Sequence, residues 1–308
     1  MLSVDHIYFA YNPSNPLIDG IDFEVNPSEV VTIVGASGAG KSTLLKCISG
    51  FLELNSGEVF LEGKKVCGPD TKLVAGHSDI ALVNQSFTLD EYFTTEENIK
   101  RKLLHLSYEV QALFLEELIT LLDLESVRKL KSKSLSGGEK QRLSMACAIA
   151  QEPKVLLLDE PFSHLDVHLR KKVGRYIKEM CRIRNTSVIL VTHEGEEALA
   201  WSNRILFLEK GKIKSIYTPE SAYLYPKNLK EGRYFGELNS VYINKKQVLF
   251  RPNHYLLKGK EENKIAITFI FAEFRGVYYA NFYRLKTGKE IVLYNKRVLN
   301  TLKFIYAQ

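Results

Sequence analysis

The order of apolar and polar positions predicts that the first 235 or so residues combine strands and helices. Residues 7–11 and 21–25 alternate apolar and polar side chains, which is typical of antiparallel strands. Residues 30–34, 155–158 and 187–191 are almost continuously apolar, as expected of parallel strands covered on both faces. Between residues 95 and 130 the apolar residues recur at helical spacing instead. We therefore expect a parallel sheet, an antiparallel β subdomain and a helical subdomain at about residues 95–150.

From residue 240 onward the pattern contains only short strands. Ile265, Ile267, Phe269 and Phe271 alternate with other residues, and residues 286–289 supply a turn. This pattern predicts a small β-barrel or half-open sheet. The expected fold is an α/β domain over residues 1–237, followed by a small all-β domain over residues 238–308.

Charge supports the same division of the chain. The formal net charge is +6, and residues 240–308 contain 13 Lys and Arg but only 4 Asp and Glu. The preceding residues contain 29 basic and 32 acidic side chains. The chain has no apolar run of about 18 residues, no evident secretory signal and no Cys-x-x-Cys spacing. We expect a cytosolic protein with reduced thiols and a separate basic module.

The segment at residues 35–42 predicts a phosphate-binding loop. It reads Gly-Ala-Ser-Gly-Ala-Gly-Lys-Ser and lies between a predicted strand and a predicted helix. Its glycines let backbone N–H groups face the β- and γ-phosphates, and the helix N-terminus faces the same way. Lys41 would add a positive charge and Ser42 a hydroxyl ligand for Mg²⁺. The loop therefore indicates a nucleoside triphosphate site.

Further polar segments follow in an order that suits phosphate chemistry. Residues 135–142 read Leu-Ser-Gly-Gly-Glu-Lys-Gln-Arg, with Ser136 placed as N-cap of a helix ending near Ala150. Asp159 and Glu160 follow a buried strand, where the first can hold Mg²⁺ and the second can polarise the attacking water. His193 follows the next predicted strand, within reach of a γ-phosphate.

Together these segments resemble the ATP-binding cassette family of transporter ATPases over residues 1 to about 235, and residues 135–142 resemble its signature motif. The resemblance implies that Tyr11 stacks on adenine and that Gln85 contacts Mg²⁺ and senses the membrane partner. Asp166 would communicate across a dimer. The implied ATP contacts within one chain are Tyr11, Gly35, Ser37, Gly38, Ala39, Gly40, Lys41, Ser42 and Thr43.

The family's two-chain site implies the remaining roles. The signature residues Ser136, Gly137, Gly138 and Glu139 would contact the ATP held by the opposite subunit of a head-to-tail homodimer. The implied catalytic residues are Glu160 as general base, His193 and Gln85. The implied Mg²⁺ ligands are Ser42, Gln85 and Asp159.

A single cassette followed by a β domain resembles an importer subunit. The segments around residues 194–200 and 218–226, with residues 250–252, resemble importers for polyamines, ferric iron, oxyanions and sugars, whose β domain is of the oligonucleotide-binding type. The implied partners are membrane permease subunits and, indirectly, a substrate-binding protein, with the chain at the inner face of the membrane. A nucleic-acid-associated ATPase is the alternative, because the basic tail is interleaved with aromatic residues: Phe269, Phe274, Tyr278, Tyr279, Phe282 and Tyr283.

Overall fold

The computed structural model describes residues 1–72, 74–84, 89–260 and 263–306. The chain folds into two compact units, residues 1–219 and residues 220–308. Among the described residues, no helix is both long and apolar enough to cross a membrane. The described strands of the first unit are β1 (Leu2–Phe9), β2 (Ile18–Val25), β3 (Val30–Val34), β4 (Ser56–Leu61), β5 (Lys64–Lys65), β6 (Ile80–Val83), β7 (Val155–Asp159), β8 (Ser187–Thr192), β9 (Arg204–Glu209) and β10 (Lys212–Tyr217).

Six of these strands form the central sheet, in the order β10-β9-β3-β8-β7-β6. All neighbours pair in parallel except β10 and β9, which form an antiparallel edge. Successive side chains of β7 enter different cores. Leu156 and Leu158 pack with the helices, whereas Val155 and Leu157 pack on the opposite face. This double burial explains why the parallel strands are almost continuously apolar.

The second layer is a four-stranded antiparallel sheet with the order β2-β1-β4-β5. Strand β1 pairs with both β2 and β4, and its apolar side chains Leu2, Val4, Ile7 and Phe9 are buried. They share one core with helix α1 (Lys41–Ile48) and with the face of the central sheet that carries Val155 and Leu157. The antiparallel strands expected near residues 7–11 and 21–25 are confirmed.

The other face of the central sheet is covered by helices. They are α2 (Thr95–Lys100), α3 (Tyr108–Leu121), α4 (Gly137–Ala150), α5 (Val167–Arg184) and α6 (Gly195–Trp201). Glu96 of α2 is buried and lies at the centre of a charge cluster. Its Oε2 is 2.6 Å from Arg128 Nε and 2.7 Å from Lys129 Nζ, and its Oε1 pairs with Lys100. These hydrogen bonds, first that of Arg128, hold the pKa of Glu96 well below its ordinary value.

The second unit has its own core. It contains helices α7 (Pro219–Leu224) and α8 (Leu229–Tyr234) and strands β11 (Asn239–Ile243), β12 (Lys246–Phe250), β13 (Lys264–Phe274), β14 (Tyr279–Leu285), β15 (Glu290–Asn295) and β16 (Phe304–Tyr306). Strands β11 and β12 form a hairpin, and the other four form a sheet with the order β15-β14-β13-β16. Phe269 and Tyr283 meet edge to face in its core, and Phe282 stacks on Phe271 outside that core.

Arg251, only 1% exposed, connects helix α7 to the residues that follow α8. Its Nε donates to the carbonyl oxygen of Tyr223 at 2.6 Å, and its Nη1 donates to those of Gly236 and Glu237, each at 3.0 Å. The guanidinium also lies 4.1 Å from the centroid of the Tyr223 ring. Burial lowers the pKa of Arg251.

The expected fold class is confirmed: a parallel-sheet core, an antiparallel sheet, helices and a C-terminal region of strands. The division of the structure after residue 219 places α7 and α8 mainly with the C-terminal unit. The domain boundary at residues 237/238 stays a prediction. The four cysteines are free, and Cys47, Cys147 and Cys181 are buried. Burial raises the pKa of Cys47 and Cys147 to about 12 and that of Cys181 to about 11.

Candidate active site

The loop at residues 35–40 connects β3 to the start of α1, as its sequence predicts. Gly40 is the N-cap residue and has φ +99°, in the left-handed region that favours glycine. Gly35 has no room for a side chain, because an added Cβ would lie 2.2 Å from the carbonyl oxygen of Leu208. The loop exposes Ala36, Ser37 and Gly38, whereas Ala39, Gly40 and Thr43 are buried. The exposed part can accept a ligand while the buried part anchors the loop.

Lys41 lies inside this loop and is 7% exposed. Its Nζ donates to the carbonyl oxygens of Gly35 at 2.8 Å and Ala36 at 3.1 Å. Burial lowers the pKa of Lys41, against the opposing charges of Glu160 and Asp159. An anionic phosphate would therefore meet a pre-positioned ammonium group that is only partly neutralised by nearby carboxylates.

Asp159, the last residue of β7, lies beside the start of α1. Its carboxylate, 5% exposed, is hydrogen-bonded by the Ser42 side chain. Burial raises the pKa of Asp159, and its Oδ1 has no hydrogen-bond partner among the described residues. A buried oxygen without a donor, next to a hydroxyl, suits Mg²⁺, which binds one or two protein oxygens together with phosphate and water. The donor set of Ser42 and Asp159 therefore fits this ion.

Glu160 and His193 meet at the carboxyl ends of β7 and β8. His193 Nδ1 lies 3.2 Å from Glu160 Oε1, and His193 Nε2 lies 3.4 Å from Glu194 Oε1. Glu160 has φ +50°, an uncommon conformation for a residue other than glycine, and its backbone N–H donates to the carbonyl oxygen of Val191 at 2.9 Å. At this turn the chain leaves the hydrogen-bonded strand, and the Glu160 side chain points toward His193.

Ser136 begins helix α4 in the way the sequence predicts. Its hydroxyl accepts a hydrogen bond from the Glu139 backbone N–H, and the Glu139 carboxylate accepts one from the Ser136 backbone N–H at 2.7 Å. The Ser136 hydroxyl also donates to the Glu139 carboxylate at 2.7 Å, and this bond, followed by that from the Ser136 backbone N–H, lowers the pKa of Glu139. Ser136 and Gly137 are exposed and Gly138 is half-buried, so the helix N-terminus is accessible to a ligand from outside the chain.

The other predicted residues are placed as follows. Tyr11 is 66% exposed and touches Phe9 edge to face at a centroid distance of 4.8 Å, which leaves ring surface open to a base. Asp166 is exposed and caps α5, with its Oδ1 accepting from the backbone N–H groups of His168 and Leu169. These bonds, first that of Leu169, lower the pKa of Asp166. Gln85 lies outside the described residues.

The structure adds residues that the sequence did not single out. Gln141 of α4 donates from Nε2 to the Glu160 carbonyl oxygen at 2.9 Å, which links the signature helix to the end of β7. Thr192, Glu197 and Arg170 lie behind His193 and line a cavity of about 100 Å³ with it. A polar residue directly before a predicted active-site histidine is a possible signal for Thr192. The spacing along the chain does not reveal the other two.

The chain is similar to import ATP-binding proteins. Residues 18–163 match the family described as ABC transporter. The chain is 38% identical to the spermidine/putrescine import ATP-binding protein PotA of Mannheimia succiniciproducens, over 83% of this chain and 67% of that protein. It is 35% identical to the oligosaccharides import ATP-binding protein MsmX of Bacillus subtilis, over 76% and 64% of the two chains. It thus spans about two thirds of the length of these relatives.

Solved structures agree with these relatives. A dimeric ATP-binding cassette in a post-hydrolysis state, bound to ADP and Pi, has a TM-score of 0.63 and 27% identity, over 71% of this chain and 99% of that chain. A second dimeric structure of that bacterial ABC transporter cassette matches at 26% identity with the same TM-score and coverage. With the family and relatives in agreement, this chain belongs to the ATP-binding cassette family of transporter ATPases.

Proposed function

We propose that this chain is the nucleotide-binding subunit of an importer, in which two copies bind ATP head to tail and hydrolyse it. The observation that carries this proposal is the arrangement of Lys41, Asp159, Glu160 and His193 around one exposed loop. This arrangement supports a phosphate-binding half-site of an ATPase. The exposed N-terminus of α4 offers a second anion site, which suits the ATP of another copy.

The chemistry follows from the positions of the side chains. Lys41 and the loop N–H groups bind the phosphates, and the partly exposed Glu160 side chain orients a water molecule and accepts its proton. His193 contacts the γ-phosphate and keeps Glu160 in place. Ser42, Asp159 and Gln85 would hold Mg²⁺, which supplies charge neutralisation at the phosphate oxygens when it is bound.

Two copies complete the site because each contributes a different part. One copy supplies the phosphate loop, and the other supplies Ser136, Gly137, Gly138 and Glu139. Asp166 lies in the segment that connects the end of β7 to α5, where it can sense the second copy. ATP is then the bridge between the subunits, and hydrolysis removes the γ-phosphate on which the closed dimer depends.

Import is the direction that the relatives suggest. PotA and MsmX are named for the import of spermidine or putrescine and of oligosaccharides, and a third relative, FbpC of Vibrio cholerae, for Fe(3+) ions. We place this chain at the inner face of the membrane, with permease subunits and, indirectly, a substrate-binding protein as partners. A polyamine or ferric iron is the proposed cargo. The nucleic-acid alternative gains no support from these relatives.

A groove on the first unit offers a place for the permease. It has a volume of about 560 Å³ and lies between Phe51, strand β6 and helix α4. Its lining includes strand β6 and the C-terminal half of α4, so a helix of the membrane subunit seated in this groove would touch both elements. We propose this groove as the contact through which ATP binding and transport are coupled.

The first experiment measures the mass of Glu160→Gln by light scattering, with and without Mg-ATP. We expect this variant to bind ATP, stop turnover and shift from monomer to dimer, because the carboxylate that accepts the proton is lost while the binding surfaces remain. Glu196→Gln, an exposed substitution on α6, is the matched control and should retain turnover. Full hydrolysis by Glu160→Gln would remove Glu160 from the role of general base.

A further inference from the structure

Behind His193 lies a buried acid that the proposed mechanism does not use. Glu197, in the first turn of α6, is 5% exposed. Its Oε2 accepts a hydrogen bond from the Thr192 hydroxyl at 2.6 Å, within the protein interior. The Thr192 hydroxyl in turn accepts from the backbone N–H of Glu194 at 3.0 Å. The Thr192 hydroxyl, oriented by Glu197, thus links Thr192 to Glu194, the residues immediately before and after His193.

The second oxygen of Glu197 connects to another element. Its Oε1 lies 3.4 Å from Arg170 Nη1, on the first turn of α5. The backbone N–H of Arg170 donates to the carbonyl oxygen of Asp166 at 2.9 Å. The Arg170 side chain therefore bridges the helix that Asp166 caps and the loop that carries His193.

The cavity around this contact is lined by polar and charged residues. It has a volume of about 100 Å³, and its walls are Glu160, Ser163, Arg170, Thr192, His193, Glu194 and Glu197. Arg170 Nε is buried and has no hydrogen-bond partner among the described residues. Glu197 is the buried member of this pair, with a side chain only 6% exposed, whereas the Arg170 side chain is 34% exposed and keeps access to water when Glu197 is replaced. Burial raises the pKa of Glu197, and the bond from Thr192 and the charge of Arg170 oppose that shift.

We propose that Glu197 is a positioning residue, which holds His193 against Glu160 through the Thr192 hydroxyl and is tied by Arg170 to the segment containing Asp166. This inference rests on the roles proposed above for Glu160 and His193. It adds a physical connection between helix α5, which Asp166 caps, and His193, which is proposed to contact the γ-phosphate. Misplacing His193 costs turnover more than nucleotide affinity, since Lys41 and the N–H groups of the phosphate loop supply most of the binding.

The experiment compares kcat and KM for ATP in the full-length chain, together with thermal melting. We expect Thr192→Val and Glu197→Gln to lower kcat about tenfold or more, which is part of what a positioned proton-transfer group contributes. The KM and the melting temperature should stay near the wild-type values. Thr192→Ser keeps the hydroxyl and should retain most of the turnover, and the exposed Glu196→Gln is the matched control.

Several outcomes separate this proposal from the proposed function. A wild-type kcat in Thr192→Val would overturn the positioning role. So would a lowered kcat that is accompanied by changes in KM and melting temperature and is not restored in Thr192→Ser. Unchanged turnover in His193→Ala would instead contradict the role of His193 itself. If the support acts through His193, adding Thr192→Val to His193→Ala should cause no further loss.

Arg170 is tested by the same logic. Arg170→Met should lower kcat as Glu197→Gln does, and the double variant should be no slower than either single one, because both changes break one contact. Arg170→Lys keeps the charge and should be intermediate. Additive losses in the double variant would show that Arg170 and Glu197 act separately and would overturn the proposed connection.

Discussion

At the scale of single residues, the site depends on the buried charges of Lys41 and Asp159, held close together beside an exposed loop. Lys41 is buried between backbone carbonyl oxygens and the charges of Asp159 and Glu160. A phosphate that binds in the loop interacts favourably with such a lysine. The free-energy cost of removing water from the ammonium group has already been offset during folding. Nucleotide affinity should therefore depend strongly on this one ammonium group.

We expect Lys41→Ala to weaken ATP binding about ten- to hundredfold, the equivalent of one charge-assisted hydrogen bond. Titration of a fluorescent ATP analogue measures the affinity. Lys64→Ala, an exposed change in the antiparallel sheet, should bind as the wild type does. Unchanged affinity in Lys41→Ala would contradict the phosphate-binding role of the loop.

A local pattern in the sequence was enough to select the first candidate residues of this site. Lys41 and Ser42 belong to one loop, and Asp159 and Glu160 directly follow one buried strand. Glu197 and Arg170 were not predicted, because their contact is made between two helices that are separate in the chain. A carboxylate on an ordinary helix has no sequence pattern that reveals burial against a distant guanidinium.

At the scale of elements, helix α4 combines a structural cap with a surface for phosphate. The Ser136–Glu139 capping box satisfies backbone groups at the helix start, which would stabilise the helix without any ligand. The same exposed N-terminus is the proposed contact with the second ATP. Substitutions can separate the two roles. An N-cap needs a side-chain hydrogen-bond acceptor, whereas a negatively charged side chain there would repel a phosphate.

Ser136→Ala should destabilise the chain by about 1 kcal/mol, the usual value of a lost N-cap. Ser136→Asp keeps a capping acceptor and should retain the stability, yet repel the γ-phosphate. Chemical denaturation measures the stability, and light scattering in the Glu160→Gln background measures ATP-driven dimerisation. An ATP-driven dimer of normal strength in Ser136→Asp would contradict the role of this helix end.

Helix α2 buries Ile99 in the core and adds a charge cluster centred on Glu96. We expect Glu96→Gln to lower the free energy of unfolding by roughly 2 kcal/mol at neutral pH, because Arg128 and two lysines lose a buried partner. The folded pKa of Glu96 lies below its unfolded value, so its contribution is present above about pH 5 and is lost as the pH falls further. Denaturant titrations at several pH values should show the two proteins converging in acid; equal stability at neutral pH would contradict this account.

At the scale of the whole molecule, the described residues form two units with separate cores. The phosphate loop, the ends of β7 and β8 and the signature helix all belong to residues 1–219. Strand periodicity correctly predicted a C-terminal region of strands. It did not reveal Arg251, whose role depends on the carbonyl oxygens of Tyr223 in α7 and of Gly236 and Glu237 after α8.

Because the site lies within one unit, residues 1–219 alone should bind ATP with an affinity within about threefold of the full chain, a difference below 1 kcal/mol. The same fluorescent titration applies to both forms, with circular dichroism to establish that the shortened chain is folded. A folded short form that no longer binds ATP would show that the C-terminal unit contributes to the nucleotide site.

Strand β7 also limits which genetic changes this protein can accept. Its residues alternate between two apolar cores up to Asp159, so an apolar substitution within it alters packing only locally. A one-residue deletion, by contrast, would exchange the faces of the remaining strand and draw the two carboxylates back from the loop. Over evolutionary time, this strand should therefore vary in composition while its length stays constant.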